Sequence, residues 1–336
     1  TAIHPLPKPV VAMLDIRDKS PENLRLGESF MKGVRDAGTR VDGATNAVTS
    51  APIGPSRRAF VGRSVGWPNF AGVTLDLGTA YANHGINTIP FYTYYSMFGF
   101  QRIGDSAWLA GDSRCKGFLM GATAGRTTLA GEGLQHQDGH SLVTALTIPN
   151  LVAYDPAYAY ELAAIVKDGI RRMYVDNEQV FYYITLMNDN YAQPPKPEGC
   201  DEGILKGIYK YQTSETAQAQ ILGSGAILPQ AVKAAELLKE KFGVETNVWS
   251  VTSYKNLIND AQDAERETVR NGNKTKPYIT ACLEGENGPV VAASDYMKLL
   301  PESIAKWVPN GLVSLGTDGF GRSDGRRALR KHFEVD

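Results

Sequence analysis

Three stretches of this chain are apolar and aromatic almost without interruption: NTIPFYTYY (87–95), GFLMGATAG (117–125) and QVFYYITLM (179–187). A strand with one wet face alternates polar and apolar residues. A continuous run instead demands cover on both faces, the situation of a parallel sheet between helices. Helical segments stand between the runs. Residues 100–110 are one candidate; AYAYELAAIVKDGIRRMY is another, entered from the short strand NLVAYD with Asp155 as its expected N-cap and Pro156 at its first position. Together with QVFYYITLM this makes a βαβ unit.

AQPPKPEGCDEG (192–203) then breaks the pattern. Pro194, Pro195 and Pro197 deny it both a helix and a central strand, so it reads as a linker. Beyond it, AQILGSGAIL, the helix PQAVKAAELLKEKFG and NVWSVTS form a further βαβ unit. YITACLE (278–284), PVVAASD (289–295), a helix near Tyr296–Trp307 and GLVSLGTDG (311–319) continue the alternation. The expectation is an α/β chain of two doubly wound domains with largely parallel sheets, joined near residue 195. Residues 1–66 are least legible. VVAMLDI (10–16) has the form of a strand and PENLRLGESFMKGVRDAG (21–38) that of an amphipathic helix; 39–66 follow neither period, and the segment is left unassigned.

Charge narrows the partners. Lys plus Arg (35) balances Asp plus Glu (36), so no global field draws nucleic acid, an anionic membrane or a polyanion, and no nucleic-acid or membrane partner is expected. Cys115, Cys200 and Cys282 are odd in number and lack C-x-x-C spacing, which suits a reducing compartment. No apolar stretch approaches the roughly 18 residues needed to span a bilayer. TAIHPLPKP also lacks the regions of a signal peptide, and the expected location is the cytoplasm.

The densest polar cluster is GEGLQHQDGH (131–140), carrying Glu132, His136 and His140. The two histidines have the i,i+4 spacing of a helical metal pair, but Gly133 and Gly139 weaken a helix and H-E-x-x-H is absent, so no metal site is assigned. A solvated loop is the plain reading. The sharper one follows from position: a long loop after a buried parallel strand lies at the strand's carboxyl end, where α/β sheets bind ligands and where imidazole can move protons near neutrality. Among the aromatics of 91–100, core packing accounts for most, while Tyr95 and Phe98 at the strand end are candidates to stack on a flat heteroaromatic ring. Gly223-Ser224-Gly225 lacks the full G-x-G-x-x-G pattern and reads as a tight turn. At the C-terminus, Ser323 or Asp324 is the expected cap of a helix bearing Arg326, Arg327, Arg330 and Lys331. That helix is either a solvated face or a surface for a carboxylate, phosphate or acidic partner.

Read together, IPFYTYYSMFGFQRIGD (89–105), GRTTLAGEGLQHQDGHS (125–141), YDPAYAYE (154–161), EGILKGIYK (202–210), DYMKLLPE (295–302) and LGTDGFGRSDGRRALRKHFEVD (315–336) resemble the homodimeric-type pyruvate dehydrogenase decarboxylating component of bacteria, from about Ile89 to the C-terminus. The resemblance implies a transketolase-like layout, with 67–191 similar to the pyrimidine-binding domain, 192–199 a linker and 200–336 similar to a truncated C-terminal domain. It also implies thiamine diphosphate and Mg2+ as cofactors, pyruvate as substrate, the lipoyl domain of dihydrolipoyl acetyltransferase as partner, and a homodimer with its active site between subunits. By position in these motifs, Tyr95 is similar to the aromatic against the aminopyrimidine ring and Phe98 accompanies it. His136 resembles the histidine facing the substrate, with Glu132 and His140 from the same loop.

Two departures weigh against turnover by this chain alone. The family activates the cofactor through a glutamate 28 residues before the tyrosine matched by Tyr95; here that position is Trp67, in SVGWPNFAG, and no Asp or Glu occurs between Ala44 and Leu75. An indole only donates and does not titrate, so it cannot relay that proton. The diphosphate-binding domain with its magnesium motif is also not recognisable, Gly111-Asp112-Ser113 being a poor imitation that suits a helix end better. The enzyme reading therefore stands beside two others: a non-catalytic fragment or assembly module of the family, and a dehydrogenase fragment joined to foreign sequence over 1–66.

Overall fold

The computed structural model describes residues 10–14, 40–41, 48–49 and 67–336, apart from 130–132, 188, 273 and 336. Strand β1 (Val10–Leu14) comes first, and β2 (Arg40–Val41) pairs with β3 (Val48–Thr49) in a small antiparallel ribbon. The proposed helix over 21–38 lies outside the described residues. Helix α1 (Trp67–His84) leads into β4 (Thr88–Tyr94), in which every residue is buried, as the uninterrupted apolar run requires. Helix α2 (Gly99–Asp112) buries Phe100, Ile103, Ala107 and Ala110, the one-turn spacing of a helix with a single apolar face, and Gly111-Asp112-Ser113 is indeed its end. Then follow β5 (Phe118–Ala122), the short helix α3 (Ser141–Ala145), β6 (Leu151–Tyr154), α4 (Ala159–Tyr174) and β7 (Phe181–Leu186). The sheet order is β1-β4-β5-β7-β6, parallel throughout.

The second sheet is built from α5 (Asp201–Lys206), β8 (Ile208–Gln212), β9 (Ala219–Gly223), α6 (Leu228–Phe242), β10 (Thr246–Val251), α7 (Tyr254–Asn271), α8 (Tyr278–Leu283), β11 (Val290–Ala293), α9 (Leu299–Glu302), β12 (Leu312–Leu315) and α10 (Arg326–His332). Its order is β12-β11-β9-β10-β8, parallel except for β8 against β10. The α/β class with mostly parallel sheets holds.

YITACLE, whose type the short run leaves open, takes its place as a helix, with Ile279 and Leu283, one turn apart, as the buried pair. Two local expectations fail. Asp155 does not cap α4. That helix starts later, at Ala159, and it is Glu161 in its first turn that accepts from the backbone N–H of Ala157 (2.5 Å) and Tyr158 (3.1 Å). Neither Ser323 nor Asp324 is the cap residue of α10; Gly325 is, and the Asp324 carboxylate accepts from its N–H at 2.6 Å.

The two sheets share one interior. A single network of buried apolar contacts runs from Tyr92, Tyr94 and Leu151 of the first to Leu222, Trp249 and Tyr296 of the second. Polar groups pin the same seam. Lys255 Nζ donates to the carbonyls of Ala145 (2.7 Å) and Ile148, supplying acceptors at the end of α3 with a donor, and burial lowers its pKa to about 8. The Glu161 carboxylate, wholly buried, accepts from the hydroxyls of Tyr209 and Ser250, both at 2.7 Å.

Candidate active site

In a parallel sheet every strand ends at the same edge, so the segments after neighbours β4 and β5 are forced together. Tyr95 and the 3-10 turn Ser96–Phe98 follow β4; the glycine-rich loop follows β5 and carries a 3-10 turn at Leu134–His136. Their rings meet. The His136 imidazole lies 4.7 Å from the Tyr95 ring centroid and 5.6 Å from that of Phe98, tilted by 56° and 71°, and the Arg102 guanidinium stands 4.2 Å over the far ring of Phe98. All three rings are half-buried, held by packing yet open to a ligand.

His140 is drawn elsewhere. Its Nε2 is 2.6 Å from Gln101 Nε2, and its Nδ1 is 3.7 Å from Asp138. The buried Asp138 carboxylate accepts the N–H groups of His140 and Ser141, which fixes the turn into α3. His136 and His140 thus share the loop but not a helix. Glu132 lies outside the described residues. Among the described residues, no three His, Cys, Asp or Glu side chains converge to hold a metal ion.

Periodicity gave no notice of Gln101 or of the arginine contacts of the loop, because these depend on partners distant in sequence; Arg102 on Phe98 and Asp138 with His140 and Ser141 are local contacts that helix and strand periods do not report. The basic C-terminal helix turns inward in part. Arg326 and Arg330 approach the Asp189 carboxylate of the first unit at 3.2 and 3.8 Å, and Arg326 also donates to the Thr128 carbonyl.

Asp155 follows β6 in the buried seam between the sheets. Thr185 donates to it at 2.5 Å and Gly225 of the Gly223-Ser224-Gly225 turn packs so close that a Cβ there would lie 2.5 Å from its Oδ2, so that turn seats a carboxylate and no nucleotide. Burial pushes Asp155 up to about 7, with the Asp295 and Glu161 carboxylates adding to the rise and the Thr185 and Ser224 hydroxyls offsetting it. The native chain therefore keeps a proton that the unfolded chain releases near pH 4. Stability from this group falls as pH rises between about 4 and 7, and is level above. Asp155→Asn does not titrate, so its unfolding free energy should gain on the parent by up to about 4 kcal/mol across that window. Denaturant unfolding at pH 5 and pH 8 measures this; a difference independent of pH would refute it.

The architecture is of the transketolase type. Transketolase from Leishmania mexicana superposes with a TM-score of 0.66 at 21% identity, covering 96% of this chain and 40% of that one, a likeness of fold alone. Sequence carries the assignment further. Residues 70–194 match the model of the pyruvate dehydrogenase E1 component middle domain, and residues 207–336 that of the transketolase-like C-terminal domain. The pyruvate dehydrogenase E1 component of Pseudomonas aeruginosa is 54% identical over 265 residues, and that of Escherichia coli K12 is 53% identical over 268, matches covering 77% and 78% of this chain. The chain belongs to the pyruvate dehydrogenase E1 family. It spans about 30% of the length of these curated relatives.

Proposed function

We propose that this chain supplies the pyrimidine-binding and C-terminal parts of a thiamine-diphosphate-dependent pyruvate dehydrogenase, which decarboxylates pyruvate and passes the acetyl group to the lipoyl domain of dihydrolipoyl acetyltransferase, as a homodimer in the cytoplasm. The observation that carries this reading is the half-buried trio Tyr95, Phe98 and His136 at the carboxyl edge of a parallel sheet. Half-buried aromatic rings at such an edge suit the flat pyrimidine half of the cofactor. Among the described residues no cluster of His, Cys, Asp or Glu could hold Mg2+, and on this reading the metal and the diphosphate are held by a diphosphate-binding domain.

Once bound, the cofactor supplies the electron sink for decarboxylation. The chain's own residues orient and exchange protons. Tyr95 and Phe98 would hold the plane of the pyrimidine ring, and the His136 imidazole would give or take a proton beside it. Glu132 acts from the same loop, and His140, tied to Gln101, holds that loop's second bend. The non-catalytic reading keeps one specific observation in its favour: Trp67, which opens α1, stands where the family has its activating glutamate.

Calorimetric titration of the chain, reconstituted with a diphosphate-binding domain of the family, with thiamine diphosphate and Mg2+ tests the proposal. Saturable heat is expected, with affinity lowered about tenfold by Tyr95→Ala, the worth of one good ring contact. No heat beyond that of the diphosphate-binding domain alone would sink the reading in favour of the non-catalytic one.

A further inference from the structure

The loop that carries His136 belongs to the first unit by sequence, yet much of what holds it is in the second. At its start, the N–H of Arg126 donates to Asp295 Oδ2 at 2.9 Å, and the N–H of Thr127 donates to Oδ1 at 3.1 Å. Asp295 is fully buried. The carboxylate presses so close that Gly125, at φ +76°, has no room for a side chain: a Cβ there would sit 2.2 Å from Oδ2. Arg126 answers in the opposite direction. Its guanidinium, buried, donates to the carbonyls of Thr317 and of Gly319 (2.7 Å).

The far end of the loop closes on the same group. A Cβ on Gly139 would lie 2.4 Å from the Arg126 guanidinium carbon, and the Gly139 carbonyl accepts from Met297 N–H at 2.8 Å. Between the two ends, Gln137 donates to the Arg126 carbonyl at 3.3 Å and accepts from Arg322 N–H at 2.5 Å. His136 is the residue next to Gln137. Its station against Tyr95 is thus set by a clamp whose two jaws come from different sheets.

We infer that Asp295 and Arg126 are positioning residues, which make the placement of His136 against Tyr95 depend on the docked C-terminal unit. The inference rests on the reading of His136 as an active-site residue and names what holds it there. Neither residue touches the Tyr95, Phe98 and His136 rings, so their effect passes through the loop.

The test uses the full chain without cofactor or substrate, with Asp295→Asn and the milder Arg126→Lys in case the first folds poorly. Hydrogen exchange of the amides of 126–140 is expected to rise about tenfold or more in each variant, while exchange in β5 and β7 changes less than about twofold. The His136 ring proton resonances, displaced in the parent by the adjacent Tyr95 ring, should move toward the positions of an exposed histidine. Exchange rising equally across the first sheet would reduce both residues to general stabilisers and overturn the inference. So would an unmoved His136 signal in the two variants. Both readouts are independent of pyruvate chemistry, so their failure leaves the proposed activity standing, and failure of turnover leaves the clamp standing.

Discussion

In a reconstituted pyruvate dehydrogenase complex, His136→Ala is expected to lower pyruvate turnover by about 100-fold to 10,000-fold, the usual contribution of a positioned acid or base. Alanine keeps the backbone turn and removes only the imidazole that faces Tyr95 and Phe98. The ring is half-buried and lies at the sheet edge, so the loss of packing should change stability by no more than about 1 kcal/mol. Turnover and a denaturant unfolding curve on the same preparation separate the two effects. A variant that folds and retains full activity would remove His136 from the chemistry. One that loses activity and unfolds early would show the contact to be structural.

The second large effect concerns the seam. Glu161→Ala should cost about 3–5 kcal/mol of unfolding free energy, since it strips the acceptor from four buried donors at once. Two are backbone N–H groups at the start of α4, and two are the hydroxyls of Tyr209 and Ser250 from the second sheet. Burial raises the pKa of this carboxyl against the pull of its hydrogen bonds, so the charge itself is a cost that the four donors offset. Glu161→Gln retains one acceptor oxygen at the same reach and should lose less than Ala. The unfolding midpoints of both variants in denaturant provide the comparison. Equal losses for Ala and Gln would mean that charge, and not donor satisfaction, matters at this position.

Much of the scaffold was legible because the physics that sets it is local. NTIPFYTYY, GFLMGATAG and QVFYYITLM became β4, β5 and β7 of one parallel sheet, and AYELAAIVKDGIRRMY became α4, as runs of that length and burial must. YITACLE gave no clear period because seven residues hold fewer than two helical turns. The Asp155 cap misled for a different reason: a residue type well suited to a helix start was required by Thr185 and Gly225 in the seam, a demand coming from other parts of the chain. The meeting of Tyr95 with His136 could be anticipated from the rule that parallel strands end at one edge, together with the family resemblance. The hold of Asp295 on Arg126 could not, since 169 residues separate the partners and no periodicity spans them.

The shared interior has a consequence for anyone recombining members of this family. A crossover placed in the proline-rich stretch looks harmless on paper, since few side chains there are buried. It would nevertheless set Tyr92 and Leu151 of one parent against another parent's residues at the Leu222 and Trp249 positions, where mismatched volumes cost packing energy. Chimeras should inherit both sheets from one parent, because the two faces fill one shared interior.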